Sequence, residues 1–506
     1  GDTLKISAKQ FYYANNNFYE FSYWSGDSIT LGSTTAHTTT IEALSGESTV
    51  NAVYNTATPA NSVQNKTIYI RSSEQIDIPA AADITFASGV TIDMAGSLNV
   101  NGTLSNPVVF ESTGKQSPFP VSPPLTEHPD STLDKLIKIT GNEASCEISY
   151  LELSDAYCGI SIEGDAANVL IENSLFTDLN YALNVEPVED LTLEITGCTF
   201  TGLDNGIVYR NSINDPGVDT ENLIFRNEFS NIADRAIFIR LESEESGNNS
   251  VNMIAIRANT FYNNGTGIYC DRESGTASYF GELYLYVTNN IFSESTNSLF
   301  YDDQVIYFEG TDGDESEGNL FHNSGSTSYM GTNVSYVGFL DTANYDLRLQ
   351  HDSPAIDAGL DTYWIPEFPD LDDYEDPDGT DLDIGAYYCP QDTISSALTI
   401  SSNTDWYGIY KFASNVTVSS GATLTITPGS RVQFPDLTSG YPSFSVYGNL
   451  KADGTSEAPI LFTSSDPNQE KKDWYGIRVY STTNPTVTII DNCKIEYSYL
   501  GIYLSG

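Results

Sequence analysis

Short segments in which apolar and polar residues alternate recur along the chain at nearly regular intervals. One anchor position marks each repeat; the anchors are Leu153, Phe176, Phe200, Phe229, Phe261, Phe292 and Phe321, spaced by 23, 24, 29, 32, 31 and 29 residues. Each interval holds two or three alternating segments and no helical periodicity. Because such a unit cannot bury its apolar face alone, we predict that successive units stack as the coils of a parallel β-solenoid, an all-β fold.

One strand of each predicted coil can be aligned by a leading small residue. The next residue then forms an apolar column that must point into the core: Ile160, Leu183, Ile207, Ile237, Ile268 and Leu299. Two residues further on, a second inward column follows: Ile162, Val185, Tyr209, Ile239, Cys270 and Tyr301. Two residues before the anchors, asparagines such as Asn227 and Asn259 are expected to form a hydrogen-bonded ladder. Cys198 and Cys493 occupy that position as small buried residues.

The same alignment predicts two outward columns. We call the first the charged column; it comprises Glu163, Glu186, Arg210, Arg240, Asp271 and Asp302. Beside it lies the aromatic strip, Phe238, Tyr269 and Phe300. An aromatic strip next to charged groups is what a sugar-binding groove needs, which makes Phe238, Tyr269, Phe300 and Asp271 candidate binding residues. Alternatively, the arginines only relieve repulsion between stacked acids, and a loop covers the aromatic rings.

The amino-acid composition reduces the number of partners that the chain can be expected to have. The 506 residues include 69 Asp and Glu against 21 Lys and Arg, a formal charge of −48. Such a charge repels nucleic acids and anionic lipids, so neither is an expected partner. The longest apolar runs are shorter than the ~20 residues that span a bilayer, so no membrane insertion is expected. Six dispersed cysteines are too few for a disulfide scaffold, and they form no zinc motif with the four histidines.

A larger repeat defines the predicted domains. The segment Val100–Phe110 returns as Val446–Phe462, and Ala156–Ile162 returns as Ser498–Leu504. We therefore predict a β-rich cap or preceding segment over 1–64, a β-helix module over 65–390 and the start of a second, truncated module over 391–506. The chain opens without a basic and apolar leader, so any signal peptide is expected to be absent from it. A stack that ends in mid-coil indicates a piece of a longer tandem-repeat protein.

The coils resemble right-handed parallel β-helix repeats of secreted or cell-surface bacterial proteins in the pectate-lyase-like superfamily. A tail over 341–390 strengthens the resemblance through Ser353-Pro-Ala-Ile-Asp-Ala-Gly359 and Asp383-Ile-Gly-Ala-Tyr387, which look like the closing segment of such helices. The resemblance implies a right-handed helix and a secreted or cell-surface location. It implies no activity, because this superfamily includes lyases, hydrolases, adhesins and structural fibres.

The resemblance to lyases points to two candidate catalytic residues. Pectate-lyase relatives use an Arg or Lys to abstract the proton α to a uronate carboxylate while Ca²⁺ neutralises that carboxylate. Arg210 and Arg240 lie on the regular coils and would take this role. The Gly-His-Gly setting of the polygalacturonase-type hydrolases is absent from the sequence.

The tail also carries a dense run of carboxylates. Asp376, Asp378, Asp381 and Asp383 follow one another with no basic residue between them. Carboxylates this close repel one another unless they are solvated, protonated or bridged by a hard cation. Two interpretations stay open, a solvated acidic loop and a structural Ca²⁺ site.

The preferred hypothesis is an extracellular or cell-surface structural or adhesive module, with a glycan or neighbouring copies and modules of the same protein as partners. Repeated modules, missing catalytic signatures and high acidity favour it over an enzyme. The first alternative is a Ca²⁺-dependent lyase on acidic glycan. The second is a non-catalytic carbohydrate-binding module that uses the aromatic strip.

Overall fold

The computed structural model describes most of the chain. The described residues are 67–72, 74–113, 135–141, 144–163, 168–186, 191–211, 220–241, 251–272, 282–301, 306–307, 318–325, 331–360, 376–436, 441–480 and 487–505, with the strand backbones 3–7, 11–14, 17–26, 38–42 and 50–56. They divide into two compact units. The first unit comprises Gly1–Ser316 and Asn323–Met330, and the second comprises Glu317–His322 and Gly331–Gly506.

The first unit is a parallel β-helix of three sheets. Sheet A1 contains Gln75–Pro79, Ser97–Asn101, Ser145–Ser149, Asn168–Glu172, Thr192–Thr196, Thr220–Phe225, Val251–Arg257, Glu282–Thr288 and Ile306–Tyr307. Sheet A2 contains Asp83–Phe86, Val108–Ser112, Leu151–Ser154, Leu175–Thr177, Thr199–Thr201, Glu228–Ser230, Thr260–Tyr262 and Ile291–Ser293. Sheet A3 contains Ile68–Ile70, Ile92–Met94, Lys135–Ile139, Cys158–Ile162, Tyr181–Val185, Asn205–Asn211, Arg235–Leu241, Thr266–Arg272 and Asn297–Tyr301. The predicted fold class, a right-handed parallel β-helix, is confirmed.

The chain turns from sheet A1 into sheet A2 through one residue in the left-handed conformation. That residue directly follows each A1 strand in six successive coils: Tyr150, Asn173, Gly197, Arg226, Ala258 and Asn289, with φ between 48° and 62°. The next position is the ladder position. There the backbone N–H of Asn227 donates to Asn259 Oδ1 over 2.9 Å, and the N–H of Asn259 donates to Asn290 Oδ1 over 2.8 Å. The ladder satisfies the polar backbone groups of a bend that is buried in the stack.

The core of the first unit is a stack of identical side chains. Consecutive phenylalanine rings lie nearly parallel, with centroids 4.7–5.0 Å apart, at Phe176, Phe200, Phe229, Phe261 and Phe292. The strand register aligns the first inward column from Ile160 to Leu299 as predicted. All six of its side chains are buried.

Antiparallel strands precede this helix. Thr3–Ser7 pairs with Thr38–Glu42, while Asn17–Gly26 pairs with both Phe11–Ala14 and Val50–Thr56. The change from antiparallel to parallel pairing distinguishes this part of the chain from the coils that follow.

The second unit contains a smaller parallel β-helix of three sheets. Sheet B1 contains Gln391–Ile394, Ile409–Phe412, Arg431–Phe434, Ile460–Ser464 and Cys493–Ile495. Sheet B2 contains Leu398–Ile400, Val416–Val418, Ser443–Val446, Gly476–Tyr480 and Ile502–Ser505. Sheet B3 contains Thr404–Trp406, Thr423–Ile426, Asn449–Asp453 and Ile489–Asp491. Its core is built from Trp406, Phe412, Phe434, Phe444, Phe462 and Trp474.

Shorter elements complete the second unit. Asn319–His322 pairs in parallel with Gly331–Asn333, and an antiparallel pair of Phe339–Asp341 and Asp346–Leu349 encloses the 3-10 helix Thr342–Asn344. The tail over 341–390, which the sequence-based division assigns to the first module, falls in the second unit. No helix among the described residues is long and apolar enough to cross a membrane.

Candidate functional site

The charged column begins with an acid that is shared by two lysines. Lys138 Nζ lies 3.0 Å from a carboxylate oxygen of Glu163, and Lys135 is hydrogen-bonded to the same carboxylate. Burial raises the pKa of Glu163, but the hydrogen bonds from Lys135, Lys138 and Ser161 outweigh it and hold the pKa below its usual range. Both lysines lie one coil before Glu163, so the ion pairs join adjacent coils.

Arg210 is buried beneath the outer face of sheet A3. Its Nη1 donates to Asn184 Oδ1 over 3.3 Å and lies 3.5 Å from Glu186 Oε1, both one coil earlier. Only 2% of the side chain is exposed. A substrate outside the helix therefore has no access to the first candidate catalytic arginine in this conformation.

Arg240 forms a two-pronged ion pair with Asp271 on the next coil. The Nε to Oδ1 distance is 2.8 Å and the Nη2 to Oδ2 distance is 2.7 Å. This is the fork geometry in which a guanidinium binds a carboxylate most strongly. The second candidate catalytic arginine and the candidate binding residue Asp271 are thus already bound to each other.

One member of the aromatic strip, Phe238, is buried. Phe238 is completely buried in a cluster with Tyr157, Cys158, Tyr181 and Val208, against which the half-buried Tyr269 packs. The guanidinium of Arg235 lies 4.8 Å from the centre of the Phe238 ring and 4.1 Å from that of Tyr269. Phe238 consequently offers no face to a ligand in this conformation, as the alternative interpretation of a covered strip expects. The side chain of Phe300 lies outside the described residues.

The aspartates of the tail accept hydrogen bonds from the backbone. Asp383 accepts from the N–H groups of Asp357 and Cys389, each over 2.7 Å. Asp376 accepts from the N–H of Asp383, and Asp378 accepts from the N–H groups of Thr380 and Gln391. Buried carboxylates can thus organise this segment by holding its backbone in place. Asp381 is exposed.

Asp383 has an unusual environment for an acid. Its side chain is almost fully buried, and this burial raises its pKa to about 7, although the two backbone N–H groups act in the opposite direction. The neighbouring carboxylates of Asp376 and Asp357 raise the pKa further. Among the described residues, no group of three or more His, Cys, Asp or Glu side chains is arranged to hold a metal ion. The Ca²⁺ site at Asp376, Asp378, Asp381 and Asp383 stays a prediction.

All six cysteines are free thiols, and only Cys493 is not fully buried. Burial raises the pKa of Cys146, Cys158, Cys198 and Cys389 to about 12 each, far above the range of a reactive thiolate. The Sγ of Cys198 lies 3.4 Å from Thr196 O, two residues back, as the Nδ2 of Asn259 lies near Arg257 O. The prediction that Cys198 replaces a ladder asparagine is confirmed.

Comparison with known proteins finds a family match within the second unit. Residues 393–491 match a family model described as a pectate-lyase like beta helix domain. This stretch is similar to that family. No curated protein matches the chain.

Similar solved structures include two enzymes. The crystal structure of pectate lyase Pel9A is 13% identical, covers 65% of this chain and 97% of its own, and has a TM-score of 0.30. The structure of the PL6 family alginate lyase AlyGC is 10% identical, covers 87% of this chain and 75% of its own, and has a TM-score of 0.15.

The sequence analysis missed two cations that bind the first acid of the charged column. Lys135 and Lys138 precede the first aligned strand, so the alignment by small residues did not include them. Their signal was in the sequence, because Lys135-Leu-Ile-Lys-Ile139 alternates in the same way as the later strands. The pairing of Lys138 with Ser161 in the strand register places it on the outward side.

Proposed function

We propose that the chain is a structural or adhesive module of a secreted or cell-surface protein. The observation that carries this proposal is the pairing within the charged column of the first β-helix. Glu163 is bound by lysines of the preceding coil, Arg210 by groups of the preceding coil, and Arg240 by Asp271 of the following coil. Ion pairs that join neighbouring coils stiffen a stack whose units depend on their neighbours for stability.

The lyase alternative needs an arginine that can reach a substrate. Such a base must lie within hydrogen-bond distance of the proton that it removes. Arg210 is buried, and Arg240 has its guanidinium on Asp271. Each arginine would have to leave its partner before it could act, and this cost favours the structural role.

The test of the enzyme alternative is absorbance near 235 nm, where the double bond formed by eliminative cleavage absorbs. The whole chain is incubated with pectate, alginate and other acidic polysaccharides, with and without Ca²⁺. We expect no increase in this absorbance. A Ca²⁺-dependent increase that disappears in Arg240→Gln would overturn the structural proposal and establish a lyase.

Single-molecule pulling tests the structural role directly. We expect Arg240→Gln to lower the force that separates coils of the first unit, because the substitution removes a bond between coils. Arg348→Gln is the matched control, since Arg348 makes an equally close two-pronged pair with Asp346 on its own strand. Equal forces for wild type and Arg240→Gln would contradict the proposal that these pairs reinforce the stack.

A further inference from the structure

The outermost described coil of the second β-helix leaves core positions uncovered. We call it the end coil; it comprises residues 487–505. Its strand in sheet B2 lies in register with the strand before it, so that Ile502 continues the inward position of Ile477. Ile477 is completely buried, whereas Ile502 is 47% exposed and Leu504, the next inward residue, is 74% exposed. Core positions that contact solvent in this way mark an interaction surface.

The apolar surface of the end coil continues onto the other face of the same strand. Tyr503 alternates with Ile502 and Leu504 and therefore points to the outer side of sheet B2, where it is exposed. Tyr499 and Leu500, in the turn before the strand, are exposed as well. The strand thus presents apolar side chains on both of its faces.

The opposite end of the second β-helix is covered. Ile400 and Trp406 lie in its first coil and pair in register with the buried Val418 and Ile426 of the next coil. Each of the two first-coil side chains is only 5% exposed. A head-to-tail contact between copies, which builds filaments, needs two open ends. The second β-helix offers one open end, so a contact of the end coil with itself is the arrangement that fits.

The strands of the end coil are also edge strands. Each stands last in its sheet and has a strand neighbour on one side only among the described residues: Ile489–Asp491, Cys493–Ile495 and Ile502–Ser505. Natural edge strands are guarded against unwanted pairing by charged residues or proline. Gln75–Pro79, at the edge of sheet A1, contains Asp77 and Pro79, whereas Ile502–Ser505 contains neither kind of residue. The B2 edge is therefore open to pairing with a strand from outside.

The end coil carries little charge on an acidic chain. The formal charge of the whole chain is −48, so two copies repel each other over most of their surfaces. Residues 487–505 contain Asp491, Lys494 and Glu496 as their only charged side chains, and Lys494 Nζ lies 2.7 Å from Glu496 Oε1. Because one ion pair and one further acid make up the charge of the end coil, two copies can meet there with little repulsion.

A two-fold axis brings two end coils together without a mismatch. An axis perpendicular to sheet B2 and through Tyr503 pairs Ile502–Ser505 with the same strand of a second copy in antiparallel orientation. Ile502 of one copy then lies opposite Leu504 of the other, on the same side of the joined sheet. The same rotation sets the edge of sheet B1 against the edge of sheet B3 of the second copy. The uncovered inward side chains of both copies thereby meet.

We propose that the end coil binds the end coil of a second copy of this chain and forms a closed dimer. Hydrogen bonds between edge strands join the two B2 sheets, and Ile502 and Leu504 of each copy cover those of the other. Because both partners use the same surface, association stops at two copies. The proposal goes beyond the structural role, which concerns ion pairs within the first unit, and either can fail without the other.

Sedimentation of the whole chain tests the proposal. Measurements from about 1 to about 100 μM cover the affinities of weak protein contacts. We expect a monomer–dimer equilibrium that shifts toward the dimer as salt is raised from about 50 mM to about 500 mM, because salt screens the repulsion between two acidic copies. Leu504→Glu should weaken association at least about tenfold, because it places a carboxylate in an apolar contact on both copies.

Matched variants separate this contact from general effects. Leu104→Glu makes the same change at an exposed leucine of the first unit and should leave association unchanged. Tyr503→Cys should give a disulfide-linked dimer with oxidised glutathione, because the two-fold axis places this position opposite itself. Tyr447→Cys, two coils away along sheet B2, should not. Circular dichroism confirms that each variant is folded.

Several results would overturn the proposal. One is a monomer at every protein and salt concentration. A second is equal association of Leu504→Glu and Leu104→Glu, which would place the contact elsewhere on the chain. A dimer that dissociates as salt is raised would depend on ion pairs rather than on the apolar end coil. Assemblies that grow beyond two copies would require a different contact, and equal cross-linking of Tyr503→Cys and Tyr447→Cys would exclude the edge-to-edge arrangement.

Discussion

The outer faces of sheet A3 and sheet B2 have the same backbone architecture and opposite surface chemistry. On sheet A3, Arg240 is bound to Asp271 and Phe238 is buried. On sheet B2, Arg478 forms no ion pair among the described residues and lies instead over the rings of Tyr475, Tyr480 and Tyr503. A parallel β-helix thus fixes the positions of outward side chains, and the identity of each column decides whether an outward arginine pairs with an acid of the next coil or packs on aromatic rings.

The cores differ in a related way. In the first unit, one phenylalanine stands above another at a constant position, and the asparagine ladder runs beside them. In the second unit, Phe434 stacks on Trp474 but is tilted by 47° from Phe444, so the rings fill space without one repeated contact. A repeated contact couples each coil to both neighbours. The first unit should therefore respond more strongly to a single core substitution.

The largest expected effect is that of Phe229→Ala. Phe229 stacks on Phe200 at 4.7 Å and on Phe261 at 5.0 Å, so its loss leaves a cavity with two rings lacking a neighbour. We expect the free energy of unfolding to fall by about 3–5 kcal/mol, measured by thermal unfolding and located by hydrogen exchange. Tyr447→Ala in the second unit is the control and should cost less than about 1 kcal/mol. A similar loss for both would contradict the proposed role of the stack.

The second largest effect is expected for Asn259→Ala, which should lower the free energy of unfolding by about 2–3 kcal/mol. Asn259 is buried; its Oδ1 accepts from the N–H of Asn227 and its Nδ2 donates to Ile224 O. Removal of the amide leaves these backbone groups without a partner inside the protein, a cost larger than that of a surface bond. The control Asn99→Ala removes one bond, to Asp77 on the outside of sheet A1, and should cost less than about 1 kcal/mol.

The inward half of the first β-helix could be predicted from the sequence. A period of two and a repeat length fix which residues meet, and the columns from Ile160 and from Ile162 are buried wherever the side chains are described. The same period and repeat length also predict the anchors, the asparagine ladder and the place of Cys198 in it. Inward positions are easy to predict because the core accepts only side chains of the right size and polarity.

The outward half could not be predicted in the same way. Alternation places Phe238 and Arg210 on the outer face, but it cannot show that both are buried there. The tail shows a similar limit: composition indicates that Asp376 and Asp383 are crowded, while their backbone donors come from distant positions such as Asp357. The tyrosines around Arg478 on sheet B2 could not be grouped from the sequence in advance, because Tyr475 and Tyr480 come from one coil and Tyr503 from the next.

Asp383 should make the stability of the second unit sensitive to pH between about 4 and 7. Its folded pKa of about 7 lies above the usual value near 3.8, so the folded state binds the proton more tightly than the unfolded state. Its contribution to stability is therefore fully present below about pH 4 and is lost as the pH rises through 7. From pH 5 to pH 8, wild type should lose about 3 kcal/mol more than Asp383→Asn, which carries no charge at this position. Parallel pH profiles of the two proteins would refute this assignment.

The smallest expected effect on the free energy of unfolding comes from a direct comparison of Arg240 with Arg478. Arg240→Gln breaks a two-pronged pair and leaves the partly buried Asp271 without its cation, and we expect a loss of about 1–2 kcal/mol. Arg478→Gln removes only contacts with tyrosine rings and relieves the unsatisfied Nε, so its loss should stay below about 1 kcal/mol. Urea unfolding of both variants measures the two losses and shows which of them is larger. If Arg478→Gln costs more than Arg240→Gln, the guanidinium that lies over Tyr475 and Tyr480 has a structural role, and the outer face of sheet B2 resembles that of sheet A3. If the order is as expected, Arg478 can be exchanged with little cost to the fold, whereas the ion pair of Arg240 with Asp271 contributes to the stability of the coil stack.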